Sequence, residues 1–201
     1  MRLSTRSIPV AAATAVVLAF AAVAVAATIT GTDGPDQIRG TDEADQIFAL
    51  GGDDFVEGER GDDRIDGGAG NDKLEGNRGA DQLNGQDGRD ELRGGPGRDT
   101  LNGANGRDNV DGQDGNDTLN GDAGADDLRD NKGADTFTGG ADADEVDARD
   151  SGGEPVDASR DTVTCEGGDE VRVDRNDVIV NRAQCARVEV SSSGSGSSGS
   201  G

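Results

Sequence analysis

One residue type recurs along the middle of the chain with a fixed step of nine residues. This residue is aspartate, and one apolar residue follows two positions after each, as Leu74 follows Asp72. The step is kept by thirteen aspartates: Asp36, Asp45, Asp54, Asp63, Asp72, Asp81, Asp90, Asp99, Asp108, Asp117, Asp126, Asp135 and Asp144. A fixed short period indicates a solenoid built from one repeated unit. It therefore limits the fold more strongly than any local preference does.

Glycine occupies two further fixed positions in the unit. It stands five residues before the aspartate in eleven of thirteen units, and two residues before it in eleven of thirteen. The polar–apolar–polar stretch after the aspartate predicts a short strand with one inward side chain. The glycine-rich stretch predicts a turn. Two units then complete one coil of a right-handed parallel β-roll, an all-β fold with odd units in one sheet and even units in the other, over residues 28–147.

The composition shows that apolar burial alone cannot hold such a roll together. The chain has 201 residues, a formal charge of −23 and only 2% aromatic residues. Low hydrophobicity with high net charge is typical of disorder, but disorder does not explain an apolar residue at a fixed phase. Strong acidity argues against a nucleic-acid partner, because phosphates would be repelled. It favours cations as the partners that supply the missing stability.

The repeat resembles a known family. The segments GGAGNDKLE, residues 67–75, and GGPGRDTLN, residues 94–102, match the glycine-rich nonapeptide G-G-x-G-x-D-x-U-x of RTX proteins at every fixed position. The resemblance implies a β-roll that holds Ca²⁺ between successive coils. It implies that the thirteen repeat aspartates are the ligands, completed by loop carbonyls such as those of Gly67, Ala69 and Asn71. Seven units in one stack and six in the other leave at most about 11 gaps for ions.

The donor atoms agree with calcium without reference to the family. Ca²⁺ takes six to eight oxygen ligands, whereas zinc prefers Cys and His, and the repeats contain neither. The stretch DGQDGNDTLNGD, residues 111–122, also suggests an EF-hand, but glycine every few residues is incompatible with the flanking helices. We expect calcium most firmly from Asp63 to Asp126, because the terminal units depart from the repeat pattern.

The first 27 residues predict a secretory signal peptide. Arg2 and Arg6 precede an uncharged Ala/Val-rich run that closes on Ala24-Val25-Ala26, which predicts cleavage after Ala26 or Ala27. An uncleaved membrane anchor is the alternative, since the run just reaches spanning length. No later segment is apolar enough to span a bilayer, so we expect a secreted, extracellular protein.

After Asp147 the period fails. Alternating stretches within residues 148–190 predict a few more strands that form a small β cap on the open end of the roll. Cys165 and Cys185 are the only cysteines, and in an exported chain they predict a disulfide that contributes on the order of 3 kcal/mol; a two-thiol redox site is the alternative. The Gly/Ser-rich stretch 191–201 predicts a flexible tail.

These patterns favour a binding module over an enzyme. The chain has no His and no nucleophile elbow, and its carboxylates are explained as ligands by their period. We expect a secreted calcium-binding repeat protein, a monomer, whose β-roll folds on taking up several Ca²⁺ ions. The alternative is a calcium-dependent adhesin whose cell-surface or matrix partner contacts an outer row of Thr100, Thr118 and Thr136, or a row of alternating charge on the other sheet.

Overall fold

The computed structural model describes residues 16–18, 26–149, 160–174 and 177–191, with side chains from residue 26 onward, and shows a parallel two-sheet β-solenoid. One sheet contains the ten odd-numbered strands: β1 (Val16–Leu18), β3 (Gln37–Arg39), β5 (Phe55–Arg60), β7 (Lys73–Arg78), β9 (Glu91–Gly97), β11 (Asn109–Gly115), β13 (Asp127–Arg129), β15 (Glu145–Ala148), β17 (Glu170–Val173) and β19 (Arg187–Val190). The other contains the nine even-numbered strands: β2 (Thr28–Thr32), β4 (Gln46–Leu50), β6 (Arg64–Ala69), β8 (Gln82–Gly88), β10 (Thr100–Gly106), β12 (Thr118–Ala123), β14 (Thr136–Ala141), β16 (Thr162–Thr164) and β18 (Val178–Val180).

The register confirms the two-unit coil predicted from the period. Within the repeats every strand pairs in parallel with the strand 18 residues along the chain, as Leu83 pairs with Leu101 and Leu101 with Leu119. Odd and even units therefore form separate stacks. The nine-residue repeat fixes this register, because a shift by one residue would turn the apolar side chain to the outer face.

The core lies between the two sheets and consists of the inward apolar residues. The apolar residue of each repeat unit is buried, from Ile38 through Leu92 to Val146. Phe137 is the largest of these and is fully buried. One such side chain per strand makes a narrow core, so the loops at the edges of the sheets carry much of the contact between coils.

The loops stack so closely that glycine is required at particular points. Gly88, two residues before Asp90, has φ +149°, and a Cβ there would overlap the carbonyl oxygen of Gly70 on the preceding coil. In the first unit, Gly34 occupies the equivalent position but a Cβ on it would meet no atom within 4 Å among the described residues. The glycine requirement at this position is therefore strong inside the stack and absent in the first unit.

The C-terminal strands extend both stacks. β16 pairs with β14 and β17 with β15, both in parallel, and β18 and β19 follow in the same way. A 3₁₀ turn, η1 (Arg182–Gln184), connects the last two strands. The predicted disulfide between Cys165 and Cys185 is present, with a Cα–Cα distance of 5.3 Å. It links the end of β16 to the end of η1 and so ties the last coil to the one before it.

The predicted signal peptide falls largely outside the described residues. Its described part includes β1, which pairs with β3; a chain cut after Ala26 or Ala27 would lack β1, and this sheet would begin at β3. Among the described residues, no helix has the length and apolar character needed to cross a membrane. The predicted tail, apart from Ser191, also lies outside the described part.

Candidate metal centre

The thirteen repeat aspartates occupy equivalent places in the two stacks. Each directly precedes a strand, and each is buried, with only 1–3% of its surface exposed. The nine-residue step therefore lines up buried carboxyl groups, 18 residues apart in sequence, along each side of the roll.

One oxygen of the carboxylate connects consecutive coils in twelve of the thirteen units. The backbone N–H of Asp63 donates to Oδ1 of Asp81 at 2.8 Å, and that of Asp81 donates to Oδ1 of Asp99 at 2.8 Å. The same bond recurs through both stacks, from Asp36 N–H to Oδ1 of Asp54 onward. The exception is Asp36, whose Oδ1 has no hydrogen-bond partner among the described residues. The other aspartates use Oδ1 to satisfy the backbone of the previous coil, which leaves Oδ2 as the oxygen available for another partner.

In ten of the thirteen units, Oδ2 is buried without a hydrogen-bond partner among the described residues. A buried carboxylate oxygen left unpaired costs free energy, so native proteins rarely keep one without a reason. The ten belong to Asp54, Asp63, Asp72, Asp81, Asp90, Asp99, Asp108, Asp117, Asp126 and Asp144.

The residue four positions before each repeat aspartate, which we call the turning position, explains by its backbone conformation which oxygens are unpaired. It has a positive φ in the same ten units: Leu50, Glu59, Gly68, Asn77, Gln86, Gly95, Ala104, Gln113, Asp122 and Gly140. A residue in this left-handed conformation does not direct its N–H at the carboxylate, so Oδ2 stays unpaired.

The other three units lack the left-handed residue, and their hydrogen bonding differs. The N–H groups of Thr32 and Thr41 donate to Oδ2 of Asp36 and Asp45, both at 2.6 Å. In the unit of Asp135, the N–H of Asn131 donates instead to Oδ1 of Asp130. Ligation by Asp36, Asp45 and Asp135 thus stays a prediction with a different local geometry from that of the ten.

Six of the unpaired oxygens lie beside a backbone carbonyl of the next coil, namely those of Asp63, Asp72, Asp81, Asp90, Asp99 and Asp126. A Cβ added to Gly67 would lie 2.5 Å from Oδ2 of Asp72 and 2.9 Å from the carbonyl oxygen of Gly85. The glycine thus leaves space where a carboxylate and a carbonyl oxygen converge. Of the loop carbonyls named from the resemblance, that of Ala69 accepts the N–H of Gly52 at 2.8 Å. The convergent oxygens fit a hard cation such as Ca²⁺.

The electrostatics of the stacks also favour a cation. Burial raises the pKa of Asp63, Asp90 and Asp99 to about 7, against the lowering effect of the hydrogen bond from the preceding coil. Neighbouring aspartates of the same stack raise these pKa values further. Burial likewise raises the pKa of Asp72 and Asp81 to about 6. Ionising the whole stack at neutral pH is therefore costly unless a cation compensates the charge.

Four further aspartates, which the nine-residue period did not identify, join the stacks. Asp161 and Asp169 are buried, and their Oδ1 atoms accept the N–H groups of Asp135 and Asp144 at 2.9 and 3.3 Å. Asp177 accepts from Asp161 at 3.3 Å. All three are followed two residues later by Val or Ile, so the Asp-x-apolar triplet could have found them although the spacing had changed. The fourth is Asp130, which stands five residues before Asp135, at a position where most repeat units have glycine.

The comparison with protein families agrees with this geometry. The family model of the RTX calcium-binding nonapeptide repeat (4 copies) matches residues 30–65, 57–92, 84–119, 93–128 and 120–150. No curated protein matches the chain in sequence. The matched segments together span residues 30–150, which is more than half of the chain and contains all thirteen repeat aspartates. The chain therefore belongs to the RTX calcium-binding nonapeptide repeat family, and it is a calcium-binding repeat protein.

Proposed function

We propose that this is a secreted protein whose β-roll folds when Ca²⁺ binds between its coils. The observation that carries the proposal is the set of ten buried Oδ2 atoms without a hydrogen-bond partner in the described structure, each beside a left-handed turning position. Bound Ca²⁺ would supply the positive charge and the oxygen coordination that this arrangement lacks. Oδ2 of the repeat aspartates and neighbouring loop carbonyls would hold it.

The energetics support coupling between binding and folding. The core has one inward apolar residue per repeat unit, and the buried aspartates are like charges at close range. Without a cation, ionised carboxylates in each stack would repel one another and would remain desolvated. Binding free energy then becomes folding free energy, as in other small metal-dependent domains.

The proposal that the protein is exported rests on the sequence and on the disulfide. A disulfide persists in oxidising compartments, and the Cys165–Cys185 bridge is formed in the structure. Extracellular calcium modules bind at about 10⁻⁴–10⁻³ M, a range that would keep the roll unfolded until it leaves the cell. We propose a monomeric, non-catalytic module with calcium as its ligand.

Circular dichroism of the purified chain during a CaCl₂ titration tests this proposal. We expect an unordered spectrum in chelator, a β spectrum in millimolar Ca²⁺, and little change with the same concentration of Mg²⁺, which demands a tighter octahedral shell. A β spectrum that is the same in chelator and in Ca²⁺ would refute calcium-coupled folding.

A second candidate function, a calcium-dependent adhesin, is supported by the outer face of the even sheet. Thr100, Thr118 and Thr136 are in register on neighbouring strands, beside the row of Asn84, Asn102 and Asn120. A flat row of hydroxyl and amide groups could contact a cell-surface or matrix partner. Pull-down from a surface extract with Ca²⁺ and with chelator tests this: a partner retained only with Ca²⁺, and lost when the three threonines are replaced by lysine, supports it.

A further inference from the structure

Asp130 occupies a position where the repeat calls for glycine. The leading position, five residues before the repeat aspartate, is glycine in eleven of thirteen units and aspartate only here. Asp130 directly follows β13 and is 6% exposed. A carboxylate has therefore been added at the point of the loop that in most units is kept free of any side chain.

This carboxylate meets two of the repeat aspartates. Ligand oxygens of Asp117, Asp130 and Asp135 all lie within 4.8 Å of one another, and all three residues are buried. Oδ2 of Asp130 and Oδ2 of Asp117 both lack a hydrogen-bond partner among the described residues. Both oxygens face the space above Gly112, where an added Cβ would lie 2.8 Å from Oδ2 of Asp117 and even closer to Oδ2 of Asp130.

The loop holds Asp130 in this direction. The N–H of Asn131 donates to Oδ1 of Asp130 at 2.6 Å, which leaves Oδ2 as the oxygen directed at Asp117. The carbonyl of Gln113 accepts the N–H groups of Asn131 and Lys132 at 3.2 and 3.1 Å. The carbonyl oxygen of Gln113 is thus occupied by two hydrogen bonds. The side chain of Asp130 adds a carboxylate oxygen at the same level of the stack.

Three buried carboxylates at this distance cannot all remain ionised without a counter-charge. A shared proton or a bound cation would relieve the repulsion. A bound cation would use the carboxylate of residue 130 as a ligand, so replacing this residue would change Ca²⁺ binding, whereas with a shared proton it would not. Carboxylate oxygens are hard ligands, and the number of charged ligands is one of the factors that set the affinity of a Ca²⁺ site.

Asp130 also lines a cavity of about 390 Å³. The other residues along this cavity include Asp147, Asp174, Arg129 and Arg149.

We propose that Asp117, Asp130 and Asp135 together bind one Ca²⁺ ion more tightly than the other positions of the roll, so that this site fills first. The inference rests on the proposed calcium function and adds to it one distinct site with three carboxylate ligands. Filling this site first would order the coils next to the C-terminal strands before the rest of the roll.

Isothermal titration of the full chain with CaCl₂ tests the inference. We expect one ion to bind wild type at a free Ca²⁺ concentration about tenfold or more below that needed for the others, as expected for an added charged ligand. Asp130→Asn should abolish this first phase and keep the weaker ions. Asp33→Asn is the control, because Asp33 is exposed, lies outside the cluster and the turning positions, and the change removes the same charge.

A third variant keeps the test decisive if Asp130→Asn folds poorly. Asp130→Gly restores the residue found at most leading positions, so it should give a β spectrum in saturating Ca²⁺ yet lack the tight phase. The inference is overturned if both Asp130 variants titrate like wild type, which a shared proton predicts, or if Asp33→Asn loses the same phase. If wild type binds no Ca²⁺ at all, the proposed function itself fails; uniform binding in all four proteins overturns only the three-carboxylate site.

Discussion

The first two units and the middle of the roll carry the same aspartate in the same place, yet its carboxylate has different partners. In the first two units Oδ2 accepts the N–H of Thr32 or Thr41. From Asp54 to Asp126 the turning position is left-handed, and Oδ2 has no hydrogen-bond partner in the part of the chain described. The direction of one peptide N–H therefore decides whether the aspartate is satisfied by the protein or needs an external partner.

The middle of the roll carries two costs, at the turning position and at Oδ2, that the first two units do not have at these places. Non-glycine residues at left-handed turning positions, such as Leu50, Glu59 and Gln86, cost about 1–3 kcal/mol each. The unpaired buried oxygens cost more on top of this. A non-glycine residue at the left-handed turning position and an unpaired Oδ2 occur together in seven of the ten units, and a bound cation accounts for both. In the second unit both carboxylate oxygens of Asp45 accept hydrogen bonds, whereas in the first unit Oδ1 of Asp36 is unpaired among the described residues.

Acid should replace calcium in the middle of the roll, and this is the largest effect we expect. The pKa values of Asp63, Asp90 and Asp99 are raised to about 7 in the folded state, above the value near 4 of an unfolded chain. Their protonation therefore favours the fold: this contribution is complete below about pH 4 and is lost as the pH rises through 6 to 7. Calcium-free protein should show a β spectrum at pH 4 and lose it towards pH 7.5.

The control for the acid experiment is the same protein with saturating Ca²⁺ at pH 7.5, which should be folded. Acidification also lowers the net negative charge of the whole surface, which acts in the same direction. If the chain is equally unordered at pH 4 and pH 7.5 without calcium, yet folds with calcium, then the buried carboxylates do not govern folding in the way described.

Adding one methyl group should lower the free energy of unfolding by several kcal/mol more in the middle of the roll than in the first unit. Gly88→Ala places a Cβ on the carbonyl oxygen of Gly70 at a positive φ, so we expect a loss of about 3 kcal/mol or more. Gly34→Ala, at the equivalent position of the first unit, meets nothing within 4 Å among the described residues and should change stability by less than about 0.5 kcal/mol. Urea unfolding in saturating Ca²⁺ measures both; equal losses would mean that close stacking of the loops is unimportant.

The sequence predicted the parts of this molecule that depend on the period. A step of nine with one apolar residue per unit determined the two sheets, the 18-residue register and the inward position of the apolar residues. Pairing between Cys165 and Cys185 followed from there being no other cysteine. These features depend on composition and spacing alone, which is why they could be predicted.

The hydrogen bonding of each carboxylate could not be predicted, because it depends on a backbone angle. Leu50 and Glu59 adopt a left-handed turning position although neither residue type favours it, whereas Thr32 and Thr41 do not adopt it. Asp161 and Asp177 were hidden because irregular connections between the last strands break the spacing while the stacking continues, whereas Asp169 could be recognised from the Gly167-Gly168 pair before it. Asp130 was recognised only as a missing glycine, since its contact with Asp117 crosses between coils.

The smallest effect we expect is the difference between replacing a calcium ligand, Asp81, and replacing a carboxylate whose oxygens are hydrogen-bonded within the protein, Asp45. Asp81→Asn can keep the Oδ1 bond to the N–H of Asp63, but it loses the charge and the unpaired Oδ2, so at least one bound Ca²⁺ should be lost. Asp45→Asn puts an amide NH₂ against the N–H of either Ala27 or Thr41, which costs about 1–2 kcal/mol locally. Because Oδ2 of Asp45 is already engaged, the number of bound ions should not change. Equilibrium dialysis at saturating Ca²⁺ counts them, and an ion lost with Asp45→Asn but none with Asp81→Asn would reverse the assignment of the two regions.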